Sequence, residues 1–117
     1  MANNNRFTRL ERKELRRLAG MAYERELAKV LEALEKNFLQ WRKGKINPFE
    51  LSDLIHKFHN GIARDLWNFY ETGHIELNVR HAVAEEIVSK AEISPCLLVK
   101  LNLESSYNEA KGELNER

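Results

Sequence analysis

Residues 47 to 71 run Asn47-Pro-Phe-Glu-Leu-Ser-Asp-Leu-Ile-His-Lys-Phe-His-Asn-Gly-Ile-Ala-Arg-Asp-Leu-Trp-Asn-Phe-Tyr-Glu71, and this stretch decides the fold. Its opening is an explicit helix start. Asn47 can accept at the N-cap, Pro48 suits the first helical position, where a missing N–H costs nothing, and Glu50 stands where it closes a capping box. Downstream, Leu51, Leu54, Ile55, Phe58, Ile62, Leu66 and Phe69 recur at helical spacing and predict one broad core face. Asp53, Lys57, Asn60, Arg64, Asn68 and Glu71 fall on the opposite, solvated side. His59 and Tyr70 flank the core face, while Phe49, His56 and Trp67 lie further round as a smaller aromatic surface. Asp65 falls at the other edge of the apolar face, where a carboxylate calls for a hydrogen-bonding or basic partner.

Upstream, Thr8 followed by Glu11 forms a second capping box and Gly44 supplies a stop, which predicts a helical region from about Thr8 to Lys43. Leu27, Leu31, Leu34, Phe38 and Trp41 alternate steps of four and three, as a packing seam does. The seam does not extend upstream, where Leu15, Leu18 and Ala22 form a separate short stripe. One long helix that changes its contact face near Gly20 is the expectation, with the basic N-terminal third projecting or packing on another chain. Two helices meeting there is the alternative, and a single glycine at about 1 kcal/mol below alanine does not decide it.

Downstream, Thr72-Gly73 ends the second helix. Asn78 is the expected cap of a third, from about Val79 to Ala91, with Ala84, Ile87, Val88 and Ala91 inward. Ser94-Pro95 then opens a fourth, running to about Asn108 or Lys111. Val99, Leu101 and Leu103 alternate with polar neighbours in strand fashion, but no other segment offers a strand to pair with, so helix is preferred. Val99, Leu103, Tyr107, Ala110 and Leu114 share a helical face, with Leu97, Leu98 and Leu101 on another side. The first turns are therefore expected to be buried nearly all round, with Cys96 an inert buried thiol.

Bulk composition agrees with this reading. The 117 residues are 43% hydrophobic and 32% charged, with five Gly and two Pro, too apolar for disorder and too poor in turn residues for many short strands. The expected fold is all-α: a four-helix bundle-like single domain over residues 1 to 117, with a long first helix paired to the second as an antiparallel hairpin through Gly44 to Asn47. Helices three and four are expected to pack across it, with residues 1 to 6 disordered and 112 to 117 frayed. The apolar runs are far shorter than the roughly 20 residues of a membrane span, and the N-terminus has no apolar leader. A lone cysteine makes no internal disulfide, so a cytoplasmic setting is expected.

Net charge is +1 but uneven, with residues 1 to 20 at +4 and residues 101 to 117 at −2. Such asymmetry can steer a partner or pair the ends of two copies. Nucleic acid is disfavoured as that partner, because the sequence pI of about 7.9 falls short of the footprint of a dedicated binder.

Chemistry-bearing motifs are sparse. His56 and His59 stand at i, i+3 with Asp53 one step before, three nitrogen and oxygen donors on one helical arc. A metal needs more, from His81 with Glu85 or from His74; a di-iron bundle needs Glu-x-x-His on two helices, whereas this chain offers Asp53-x-x-His56 and an interrupted Glu71-Thr-Gly-His74. Such pairs more often stabilise an exposed helix. There is no phosphate-cradling loop and no nucleophile motif. No catalytic residue, metal or cofactor is assigned. Trp67, with Arg64 close by, carries a different signal, since Trp and Arg anchor protein interfaces.

The run Ile55-His-Lys-Phe-His59 followed by Arg64-Asp-Leu-Trp67 resembles a set of small bacterial proteins of unknown function that share an Ile-His-x-Phe-His run ahead of Arg-x-Leu-Trp. The resemblance covers about residues 41 to 70. It implies a compact helical fold and a bacterial source, carries over no activity, and directs attention to His56, His59, Arg64 and Trp67 as candidate binding residues. The functional expectation is a non-enzymatic interaction module that self-associates, most simply as a dimer. A metal-binding protein or metal-dependent enzyme on His56 and His59 is the alternative.

Overall fold

The capping box at Thr8 starts the first helix as its sequence requires. Its hydroxyl accepts from the Glu11 N–H at 3.1 Å, and the Glu11 carboxylate accepts from the Thr8 N–H at 2.7 Å. In this computed structural model, which describes residues 6–103, helix α1 then runs unbroken from Arg9–Arg42. Gly44, at φ +76°, turns the chain in the left-handed conformation that glycine adopts without penalty. Asn47 and Glu50 form the second capping box, and α2 continues as one rod over residues 48–72, antiparallel to α1. Helix α3 spans Ile75–Ala84, a single 3₁₀ turn spans Lys90–Glu92, and α4 spans Pro95–Lys100. No strand occurs among the described residues, and the protein is all-α.

Helix α2 is not uniformly α-helical. Its hydrogen bonding widens into π turns at His59–Ala63 and again at Asn68–Thr72, separated by one α turn at Arg64–Trp67. A step of four residues overshoots a full α-helical turn by about 40°, so a row at i, i+4, i+8 drifts off its partner. Wider π turns cancel that drift. They hold two step-of-four rows beside α1: Ile62, Leu66 and Tyr70 on one side, and His59, Ala63 and Trp67 on the other.

This feature revises the face expected for α2. A constant 100° rotation places Phe69 in the core face and Tyr70 at its edge. In the structure Tyr70 turns inward onto Tyr23, while Phe69 stays 37% exposed with its ring edge against His81. Only Leu51 of the expected core face is fully buried, and Asp65 is exposed, so water solvates its carboxylate.

The centre of the core also differs from expectation. The short stripe Leu15, Leu18, Ala19 and Ala22 is the most buried part of α1, enclosed by Val79 and Ala82 of α3 with Val88, Ile93, Leu97 and Leu101. The basic third of α1 therefore does not project. Its arginines and lysines point outward from a helix whose other side is core, and the distal part of α1 projects instead. Among the described residues the Leu27–Trp41 seam is covered mainly by α2, which leaves Leu27, Leu34 and Trp41 half-buried and Leu31 and Phe38 exposed.

Helix α3 begins earlier and ends sooner than its sequence predicts. His74, not Asn78, is the N-cap, and Asn78 lies inside the helix, 1% exposed, its amide donating to the Tyr70 carbonyl at 3.4 Å. Glu86, at φ +59°, breaks the helix, and the N–H groups of Ile87 and Val88 fold back onto the Ala82 carbonyl at 2.8 and 3.1 Å. Val88 is thereby buried and Ile87 half-buried, whereas Ala84 and Ala91 are exposed.

Ser94 caps α4, which ends at Lys100 with Leu101 as its C-cap before Asn102 turns through φ +60°. The helix is one-sided: Leu97 and Leu101 are fully buried, but Val99 and Cys96 are exposed, contrary to the all-round burial expected. The continuation to Asn108 or Lys111, the Tyr107–Ala110–Leu114 face and both chain ends (residues 1–5 and 104–117) lie outside the described residues.

Polar ties fasten the C-terminal part to α1. Glu14 accepts from the Ser94 N–H and hydroxyl at 2.8 and 2.7 Å, Lys100 donates to Glu11 at 2.6 Å, and Arg25 pairs with Glu92 at 2.7 Å. Arg6 pairs with Glu76 at 2.9 Å. All of these lie at one end. Beyond them the α1–α2 hairpin continues as an arm that is two helices wide among the described residues, and the radius of gyration is 19.1 Å where a compact chain of this length has about 13 Å.

Candidate functional site

On one face of the arm, Tyr23 and Leu27 of α1 and His59, Ala63, Arg64 and Trp67 of α2 surround a depression of about 380 Å³. Tyr23 follows Ala22, the last deep core residue of α1, so the depression begins where the core ends. Ala63, the small middle member of its row, leaves the space that Trp67 and His59 wall. Arg64 places a guanidinium at the rim. Trp67 is 52% exposed, so the described residues leave about half of it uncovered.

The structure thus brings together three of the four candidate binding residues, His59, Arg64 and Trp67. His56, a turn away and exposed, is outside the lining. Sequence reading missed Tyr23, Leu27 and Ala63 as their companions. The available signal was the spacing of four between Tyr23 and Leu27, matched by the spacing of four between Ala63 and Trp67.

The opposite side of the arm joins the base. Tyr70 stacks on Tyr23 with ring centroids 5.0 Å apart and nearly parallel planes, and its hydroxyl donates to Glu26. Burial, and then the Glu26 carboxylate, push the phenol well above its ordinary range. His81 approaches the same carboxylate at 3.5 Å. A larger depression of about 510 Å³ opens here, with Val30, Ile62, Leu66 and Ile87 among its apolar walls and Lys29 and Glu85 among its charges.

Metal chemistry has little to work with. Asp53 is paired with Lys57 at 3.0 Å, and His56 and His59 are both exposed. His81 is engaged with Glu26 and Phe69, and His74 caps α3. Among the described residues, no three of His, Cys, Asp and Glu are grouped as a metal site needs. Among the described residues lining the first depression there is no carboxylate or nucleophile beside His59, so its chemistry is that of contact: aromatic area, aliphatic area and one exposed cation.

No helix among the described residues is long and apolar enough to cross a membrane. Along the basic third of α1, Arg9, Lys13, Arg16 and Arg17 are exposed on the side away from the core. Comparison with protein-family models, with curated proteins and with solved structures gives no match for this chain.

Proposed function

We propose that this chain is a non-enzymatic helical interaction module that self-associates as a homodimer. The observation that carries the reading is the arm itself, two helices with no third layer among the described residues, on which Leu31, Phe38 and Trp67 remain 45%, 39% and 52% exposed. Isolated exposed apolar residues are ordinary, but a contiguous run rimmed by charge marks an interaction surface. Trp67 and Arg64 are the residue types that anchor such surfaces. A bacterial, cytoplasmic protein of the Ile-His-x-Phe-His helical set is part of the same proposal, supported by the Ile55–Trp67 run and the single cysteine.

A metal-dependent enzyme on His56 and His59 has no observation in its favour, since both imidazoles are exposed and the neighbouring carboxylate is engaged by Lys57. The test is sedimentation equilibrium of the untagged full chain across the micromolar range. A dimer mass is expected, and a monomer mass throughout would overturn the reading.

A further inference from the structure

The arm has two broad faces, and they are not equivalent. One is partly shielded where the base packs, beside Val30, Ile62, Ile87 and His81. The other holds the Tyr23–Trp67 depression, and none of the described elements outside the arm lines it. On this open face Leu27 is followed at helical spacing by Leu31, Leu34 and Phe38, so the apolar seam of α1 runs on from the depression toward the Gly44 turn.

We propose that a second copy of this chain docks on this open face, with α1 of each copy lying over α2 of the other, so that the two arms close into an antiparallel four-helix bundle. The inference rests on the self-association proposed above and adds its face and its register. Two observations favour it.

The first is charge. Along the open face the outer rim of α1 carries Glu24 and Glu35, while the rim of α2 carries His56 and Arg64, all exposed. Leu27 and Arg64 line the same depression, and Glu35 lies eight residues beyond Leu27 as His56 lies eight residues before Arg64, so these two are level. Tyr23 stacks on Tyr70, so its neighbour Glu24 stands about one helical turn beyond the level of Arg64, a gap that two long side chains span. A two-fold axis parallel to the helices sets the acidic rim of each copy against the basic rim of the other. An axis across the helices sets α1 on α1 and opposes carboxylate to carboxylate. Like charges placed face to face oppose association, so the first arrangement is selected. Arg64 has no ion pair among the described residues and is available for this contact.

The second is area. The paired part of the arm is about 20 residues long, roughly 30 Å, and two helices side by side are roughly 20 Å wide. The footprint is about 600 Å² per copy and about 1,200 Å² in total, at the lower bound for a specific, stable interface. In the resulting bundle Trp67 of one copy meets the Leu27–Leu31 seam of the other, which supplies the apolar centre that such an interface needs.

Charge exchange in the full-length chain tests the arrangement, with sedimentation giving the dimer Kd and circular dichroism confirming unchanged helicity. Arg64→Glu and Glu24→Arg are each expected to weaken the dimer about tenfold, because the two-fold axis repeats each reversed pair. The double variant is expected to return to within about threefold of the original value, since it restores both attractions. Leu31→Arg, exposed in the monomer but central in the bundle, is expected to weaken it by at least about a hundredfold. A dimer unaffected by all of these substitutions would overturn the docking face while leaving self-association intact. A wild-type monomer would overturn both. Weakening by both single variants without recovery in the double would overturn the α1-over-α2 register.

Discussion

The hydroxyl of Tyr70, in the second π turn of α2, donates its hydrogen bond to the carboxylate of Glu26 on α1. The contact lies at the junction of arm and base, and it joins the π-turned end of α2 to the helix it pairs with. Replacing Tyr70 with Phe keeps the stacking on Tyr23 and removes only the donor. The expected loss is about 1–2 kcal/mol, the range for a half-buried hydrogen bond to a charged acceptor. Urea unfolding of Tyr70→Phe with an unchanged slope and a lowered midpoint checks it.

A larger effect is expected at Gly73. A Cβ built on this residue would lie 2.1 Å from the Phe69 carbonyl oxygen and 3.2 Å from Asn78 Oδ1. The first distance is far inside contact and involves backbone, so the corner between α2 and α3 would have to open. Gly73→Ala should lower stability by roughly 2–4 kcal/mol, in the range where single substitutions require a specific structural cause. Gly20→Ala provides the contrast. Nothing stands within 4 Å of its added methyl, and helix propensity alone predicts a gain of up to about 1 kcal/mol. Thermal melts of the two variants should shift in opposite directions.

Acid titration should report the Arg25–Glu92 pair. The Arg25 guanidinium, then the Ser89 N–H, hold the Glu92 carboxyl down to about 2 from its ordinary 4.5. A carboxyl depressed in the folded state adds stability above its unfolded value, and that stability is lost as pH falls through the folded one. The melting-temperature gap between wild type and Glu92→Gln should therefore be full at neutral pH, shrink below about 4.5 and close near about 2. A gap independent of pH would show that the ionised carboxylate adds nothing to stability through either Arg25 or the Ser89 N–H.

Core and seam should respond differently to truncation. Leu18→Ala empties a fully buried position among α3 and α4 and should cost about 2–5 kcal/mol at any protein concentration. Leu31→Ala removes a half-exposed side chain. Its cost in the monomer should be below about 1.5 kcal/mol, with a larger cost emerging as concentration rises into the range where copies associate. Unfolding curves at two concentrations separate the cases.

Three of the four helix starts among the described residues were legible in the sequence because caps are local, and the start of α3 at His74 was missed because no side-chain cap hydrogen bond marks it. Thr8 with Glu11, Asn47 with Glu50, and Ser94 before Pro95 each act through side chains within three residues. The hairpin turn at Gly44 was legible for the same reason. The end of α3 was not, because Glu86 adopts a left-handed backbone conformation there although nothing in its side chain demands it. The core's location was obscured by composition: Leu15, Leu18 and Ala22 sit among six arginines and lysines, and only α3 and α4 packing against them reveals which stripe is central. At the candidate site, Arg64 and Trp67 were legible from residue type and His59 from its motif. Their grouping with Tyr23 was not, because it depends on π turns for which the sequence offers only Gly61 and an apolar spacing of four.

Those π turns make the arm's outward surface a matter of residue count. Each holds one residue more than an α turn needs, so its five residues carry the chain about as far round as four do in an α-helix. Winding the His59–Ala63 segment as plain α-helix with all five residues kept would swing everything beyond it by about 100° about the rod, and Trp67 and Arg64 would leave the open face together. A relative of this chain with one residue fewer between His59 and Arg64 would therefore reach the same outward surface with an ordinary α turn.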